Sequence, residues 1–236
     1  MVTNPSKILI VDDDVNIGNL VSRFLRKKNY HIEYAPNGKM ATEIFVNFKP
    51  DLVILDINLP DTLGYSLCTE MQNSSDVFVL MLTSRNDLED KKKGFVTGAD
   101  DYITKPFDLE ELEFRVQAIL KRKRKIQSSV EEKIVIDELV INPETREVTL
   151  KEEKINLTSL EFELLYFLAS NPRKVWRRED LVSYVWNDNP IGDNRVVDVH
   201  IGQIRKKIEK DCNNPRLILT VRGVGYKFDY AKDMIR

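Results

Sequence analysis

Residues suited to phosphoryl chemistry appear in four groups along the first part of the chain: Asp12, Asp13 and Asp14, then Asp56, then Thr83, then Lys105. Carboxylates supply the hard oxygen ligands that Mg²⁺ or Mn²⁺ takes, alongside a backbone carbonyl and waters. One carboxylate can attack phosphorus while a hydroxyl and an ammonium hold the phosphoryl oxygens. Such transfer needs mainly alignment and charge neutralisation, so neither a His base nor a Cys nucleophile is required. Taken singly, three consecutive aspartates read as a solvated turn, Thr83 as a strand-end hydroxyl and Lys105 as a surface charge. Asp56 is different, because an ionisable group directly after Leu52, Val53, Ile54 and Leu55 is costly to bury without partners.

The groups fall where strands should end. Apolar, β-branched runs at 8–11, 32–34, 52–55, 77–82 and 101–103 alternate with amphipathic helical stretches, the fourth near 88–97 and the last from Leu109. Five strands alternating with five helices predict an α/β domain with a parallel, doubly wound, flavodoxin-like sheet, whose ligands collect at the carboxyl ends of the strands. Asp108, with Glu111 three places on, is expected to cap the last helix, whose stripe is Leu109, Leu112, Val116, Ile119 and Leu120. The domain is read as 5–122, followed by a charged, polar linker at 123–133 and a second domain at 134–231.

Composition agrees with two modest globular domains: 236 residues, 42% hydrophobic and 31% charged. No apolar run nears the roughly 18 residues of a membrane span, and residues 1–7 lack an apolar leader, so a cytoplasmic protein without a membrane partner is expected. Cys68 and Cys212 are read as packing residues, without a disulfide or zinc spacing. The net charge of −2 does not exclude nucleic acid, since local clustering of charge is what matters.

The second domain begins with short strands at 134–136, 140–141, 147–150 and 154–155. Three helices follow: one opened by a Thr158/Glu161 capping box and closed by Asn171-Pro172, one at 179–186, and one at 194–210. Strands at 217–220 and 225–228 flank an Arg222-Gly223-Val224-Gly225 turn. This is the order of an α+β winged helix-turn-helix. In the third helix Val197, Ile201, Ile204 and Ile208 face the core, while Arg195, Val196, Val199, Gly202, Gln203 and Lys206 lie opposite, with Arg205 and Lys207 at the sides. Arg and Gln read base edges, Val touches a thymine methyl, and Lys or Arg meets phosphates. A plain solvated face has the same composition, but the hairpin favours DNA, with Arg222 placed for a minor groove and Thr220 for a phosphate.

The runs ILIVDDD (8–14), Leu55-Asp56, LPD (59–61), MLT (81–83) and GADDYITKPF (98–107) resemble the receiver domain of two-component response regulators. The resemblance covers 7 to about 122. It implies that Asp56 is the phosphoacceptor, that Asp13, Asp56 and the Asn58 backbone carbonyl bind Mg²⁺, and that Asp12 assists through water. It further implies a Thr83 and Tyr102 switch, a cis Lys105-Pro106 bond, and a sensor histidine kinase as phosphoryl source. Asp14 receives no role. NRVVDVH (194–200), IRKKI (204–208) and TVRGVGY (220–226) resemble the output domain of the OmpR/PhoB class, which binds double-stranded promoter DNA. Within that class Gly202 stands where a polar or basic residue is frequent, and Arg177 where a Ser-type cap is. His200 is read as structural or phosphate-facing, and the segment at 186–194 as facing RNA polymerase. The class pairs receivers on phosphorylation through a charged face, here Lys91, Asp100, Asp101, Glu111, Arg115 and Arg122, with Thr97 and Gln117 neutral. A weak homodimer on two half-sites is expected.

Two rivals stand beside this non-enzymatic switch. One is a Mg²⁺-dependent phosphohydrolase working through an aspartyl-phosphate, against which Asn58 occupies the place of a second acid/base. The other is DNA binding independent of phosphorylation, against which the acidic pair, Thr83 and Lys105 are all present. A nucleotide site fails because no Gly-rich loop follows the first strand.

Overall fold

The computed structural model describes residues 5–84, 99–126, 133–186 and 196–230. The helix expected near 88–97, Lys91, Thr97, Arg195, the 186–194 loop and the side chain of Arg122 lie outside what is described. Elements are numbered in chain order among the described residues. The chain divides into two compact units, 1–123 and 124–236.

In the first unit, β1 (Lys7–Val11), β2 (His31–Ala35), β3 (Leu52–Asp56), β4 (Phe78–Ser84) and β5 (Asp101–Lys105) form one parallel sheet in the order β2-β1-β3-β4-β5. Side chains alternate faces along a strand, so the near-continuous apolar runs fill two cores. Leu9, Val11, Val53, Leu55, Val79 and Met81 pack against α2 (Gly38–Phe48) and α3 (Gly64–Ser74). Ile8, Ile10, Leu52, Ile54, Leu80 and Leu82 pack against α1 (Val15–Lys27) and α4 (Leu109–Ile126). The stripe at Leu112, Val116, Ile119 and Leu120 is buried as the periodicity predicts. The cap differs in part: Asp108 accepts from the Glu110 N–H at 2.7 Å, while Glu111 turns outward to Arg115 instead of closing a capping box.

Asp14, left without a role by the sequence, caps α1 by accepting from the N–H groups of Asn16 and Ile17 at 2.8 and 3.3 Å. Cys68 is buried, whereas Cys212 is exposed and does not pack as expected.

The second unit opens with an antiparallel four-stranded sheet in the order β6-β7-β8-β9, from β6 (Ile134–Ile136), β7 (Leu139–Asn142), β8 (Glu147–Leu150) and β9 (Glu153–Ile155). The predicted capping box opens α5 (Ser159–Ser170), with both of its hydrogen bonds made. Next come a two-residue strand, β10 (Trp176–Arg177), absent from the sequence reading, then α6 (Arg178–Trp186) and α7 (Val196–Ile208). Arg177 offers no capping oxygen, but Asp180 reaches back to accept from its N–H at 3.2 Å. A hairpin of β11 (Ile218–Val221) and β12 (Gly225–Phe228) completes the wing, with β12 between β10 and β11. Gly225 is required there, since a Cβ would lie 2.1 Å from the Trp176 carbonyl oxygen.

His200 is wholly buried beneath α7, which corrects the phosphate-facing reading: it shares the core side with Val197, Ile201 and Ile204. Burial holds its pKa down to about 3, with Lys207 adding to the effect. An unfolded imidazole titrates near 6.5, so between those values the unfolded chain takes a proton that the folded chain refuses. Stability is therefore present above about pH 6.5 and lost as pH falls, by about 2 kcal/mol at pH 5. Both tryptophans, Trp176 and Trp186, lie in this unit, so their fluorescence isolates it in urea melts. His200→Leu should remove most of that loss; an unchanged difference between pH 7.5 and pH 5 would refute the assignment.

Candidate functional site

Strand register gathers the acidic pocket. Val11 pairs with Leu55, so Asp12 and Asp56 emerge side by side from β1 and β3. Leu82 pairs with Asp56, and Thr83 with Thr104, which brings Thr83 and Lys105 to the same edge. Asp12, Asp56 and Thr83 are buried, while Asp13 is exposed. The Lys105 ammonium bridges the acids, donating to Asp12 Oδ2 at 2.7 Å and to Asp56 Oδ2 at 2.5 Å. The other oxygen of each carboxylate accepts from backbone: Asp12 Oδ1 from the Asp14 N–H at 3.0 Å, and Asp56 Oδ1 from the Asn58 N–H at 3.1 Å. Lys105-Pro106 is cis.

Burial raises the pKa of Asp12, against the hydrogen bond and charge of Lys105. Desolvation pulls on Lys105 in the opposite sense, but its bonds to Asp12 and Asp56 prevail and raise its pKa. Two neighbours shape the pocket that sequence reasoning did not single out. Tyr34 donates its hydroxyl to the Asp12 carbonyl oxygen at 2.8 Å, with its ring where a Cβ on Gly18 would stand. Gly64, opening α3, lies against the Asp56 carbonyl oxygen, which a Cβ would approach to 2.2 Å. A glycine at a close backbone approach leaves a signal only when the partner is already known.

The donor set fits a divalent cation. Ligand oxygens of Asp12, Asp13 and Asp56 all lie within 4.8 Å of one another. An octahedral Mg²⁺ places its oxygens about 2.9 to 4.2 Å apart, so a small inward adjustment suffices, and exposed Asp13 leaves room for water. Tyr102 on β5 is buried in the core face beside Met81.

Two acids of the expected pairing face, Asp100 and Asp101, are buried within this chain. Asp100 is fully buried in this chain, accepting from the Val79 N–H at 2.7 Å and from Gln72 Nε2 at 3.2 Å, so it secures the start of β5. Asp101 is also buried and accepts twice from Arg115 Nη1, at 2.9 and 3.0 Å. Arg115 in turn donates to Glu111 Oε1 at 2.8 Å. Among described residues, Glu111 alone of these acids remains exposed.

On α7, Val197, Ile201, Ile204 and Ile208 are buried as predicted, with Val199, Gly202, Gln203 and Lys206 open to varying degrees. Val196 is buried, correcting its place on the outer face; at the first turn it turns inward beside Val197. Lys207 pairs with buried Glu161 of the α5 cap at 2.7 Å, and Arg205 is bonded to the hairpin, so neither side chain extends freely outward. A Cβ at Gly202 would meet nothing within 4 Å, so the gap on this helix is on its open side. Arg222 and Thr220 occupy the hairpin as predicted.

No described helix is long and apolar enough to cross a membrane. Family models for the response regulator receiver domain and for the C terminus of transcriptional regulatory proteins match residues 8–117 and 152–228. The alkaline phosphatase synthesis transcriptional regulatory protein PhoP of Bacillus subtilis (strain 168) is 41% identical over 234 residues, covering 96% of this chain and 98% of that one. The DNA-binding response regulator MtrA of Mycolicibacterium smegmatis is 39% identical, with 96% and 98% covered. Among solved structures, a C128S mutant of RitR superposes with a TM-score of 0.82 at 28% identity, over 94% of this chain and 98% of that one. With both models matched in order and full-length relatives near 40% identity, the chain belongs to the OmpR/PhoB class of two-component response regulators, which join a receiver to a winged-helix DNA-binding domain.

Proposed function

We propose that Asp56 takes a phosphoryl group from a sensor histidine kinase, and that this modification governs promoter binding by the second domain as a homodimer. The observation that carries the reading is the Lys105 ammonium bridging Asp12 and Asp56 at the strand ends, with Asp13 beside them. Asp56 Oδ1 is held by the Asn58 N–H, so Oδ2 is the attacking atom once Lys105 releases it. Its lone pair forms the new P–O bond as the P–N bond of the kinase phosphohistidine breaks; the bonding pair stays on the imidazole nitrogen, which takes a proton from solvent, leaving an acyl phosphate and a neutral histidine. Asp12, Asp13, Asp56 and the Asn58 carbonyl would hold Mg²⁺, which when bound offsets the negative charge gathered at phosphorus. Lys105 then moves from carboxylate to phosphoryl oxygen, and the Thr83 hydroxyl donates to another.

The acyl phosphate carries about −1.5 to −2 charges where the carboxylate carried one, and it sets three more acceptor oxygens at a buried strand end. Thr83 and Tyr102 lie on adjacent strands, and their shift would carry the change to the surface bearing Glu111 and Arg115, where a second copy docks. Val199, Gln203 and Lys206 would enter the major groove, Arg222 the minor groove, and the 186–194 segment would meet RNA polymerase. The Asn58 side chain is no acid/base, so the acyl phosphate serves as a signal rather than a turnover intermediate.

The direct test is binding of the full chain to a panel of genomic duplexes with Mg²⁺, with and without acetyl phosphate, with sedimentation in parallel. Tighter binding and dimer formation in the presence of donor are expected. Equal binding and an unchanged monomer would remove the switch and leave constitutive DNA binding.

A further inference from the structure

Tyr226 joins three separated parts of the winged helix. Its hydroxyl donates to Asp198 Oδ1 on α7 at 2.7 Å, and the same oxygen accepts from Arg178 Nε, at the start of α6, also at 2.7 Å. The guanidinium carbons of Arg178 and Arg205 lie 5.1 and 5.5 Å from the Tyr226 ring centroid. Arg205 continues from α7 to the other hairpin strand: Nε and Nη2 donate to the Ile218 carbonyl at 3.0 and 2.6 Å, and Nη2 donates to Thr220 Oγ1 at 2.8 Å. β11 is the edge of its sheet, so this carbonyl would otherwise face water. The ring itself is buried.

A hairpin tethered only by its strand pairing would swing relative to α7, and its ordering would count against binding. Here a planar guanidinium fixes one strand by two bonds to one carbonyl while lying within cation–π range of a ring of the other strand. A lysine ammonium, a single point of charge, cannot reproduce both contacts. Thr220, which the sequence offers to a phosphate, is already engaged, and Arg222 follows it by two residues at the tip.

We propose that Arg205, together with Tyr226 and Asp198, is a positioning device that fixes the reach of the wing relative to α7, so that Arg205 acts on DNA through Arg222 rather than through a phosphate of its own. This rests on the reading of Arg222 as a DNA contact. A direct phosphate contact by Arg205 would survive replacement by lysine and would act independently of Arg222.

The test uses the full chain and a duplex selected by it from a randomised pool, with dissociation constants measured for Arg205→Lys, Tyr226→Phe, Arg222→Ala and the double variant Arg205→Lys/Arg222→Ala. Arg205→Lys should weaken binding about fivefold although charge is kept, and Tyr226→Phe about threefold, these being losses of ordering. The double variant should bind no more weakly than Arg222→Ala alone, because the clamp has nothing left to position. Near-wild-type binding by Arg205→Lys, or multiplicative losses in the double variant, would overturn the proposal. Full affinity in Arg222→Ala would overturn the wing reading and the proposal with it. Tryptophan fluorescence melts report folding of this unit, and Tyr226→Phe, which deletes one hydroxyl, carries the test if Arg205→Lys is destabilised.

Discussion

Asp56→Asn is expected to reduce phosphoryl uptake from acetyl phosphate by about three orders of magnitude or more, the scale on which removing a nucleophile acts. The amide keeps the shape of the carboxylate and can still accept from the Asn58 N–H. It lacks the negative oxygen that now faces Lys105 and that the proposed transfer uses as its nucleophile. Folding should survive, because two carboxylates sharing one ammonium become one carboxylate facing one ammonium. We therefore expect the variant to stay folded, with the Lys105–Asp12 pair intact. Intact mass after donor treatment reads the outcome: a phosphoryl adduct on wild type and none on Asp56→Asn. An adduct of equal yield on the variant would move the acceptor elsewhere, with Asp13 the first alternative. Donor-dependent tightening on DNA should vanish in the same variant.

The legible parts of this fold are those where one property dominates a stretch of chain. Parallel strands buried on both faces give apolar runs, and these marked β1, β3 and β4 and hence the ends at which Asp12, Asp56 and Thr83 meet. The Thr158/Glu161 box was readable because both of its partners are local. What escaped depends on contacts distant in sequence. Residue type points Asp100 to the surface, but its carboxylate is used by Val79 and Gln72, twenty-one and twenty-eight positions away. Polarity likewise put His200 at a flank and wheel position put Val196 outside, whereas the packing of α7 draws both inward. Arg205 and Lys207 look like free cations in a basic run, yet Ile218 and Glu161 claim them. Gly64 and Tyr34 border the pocket through backbone contacts that no local pattern announces.

Lys105→Met should show how far the pocket depends on a cation. Among the described residues the ammonium joins Asp12 to Asp56, and the replacement leaves two buried carboxylates adjacent without it. Removing one member of a buried ion pair is strongly destabilising, and discounting for the partial exposure of Lys105 gives a loss of about 2–3 kcal/mol near pH 7. The pH dependence follows from the direction already seen at Asp12, whose pKa burial raises even while Lys105 opposes it. Without Lys105 it rises further above the unfolded carboxylate value. A raised folded-state pKa means that the folded chain takes up a proton first, so stability is regained as pH falls and lost as pH rises through that pKa. The first unit of the variant should therefore gain stability on moving from pH 7 toward pH 5, opposite in sign to the His200 effect in the second unit. Because both tryptophans lie in the second unit, the first is better followed by hydrogen exchange of peptides from β1 and β3. Added Mg²⁺ should restore protection, by about 1.4 kcal/mol at ten times its dissociation constant. The gain should exceed that of wild type, where the ammonium already sits between the carboxylates. Unchanged exchange in β1 and β3, or equal Mg²⁺ responses in the two proteins, would mean that Lys105 contributes little to holding the acids together, and its role would then be confined to the phosphorylated state.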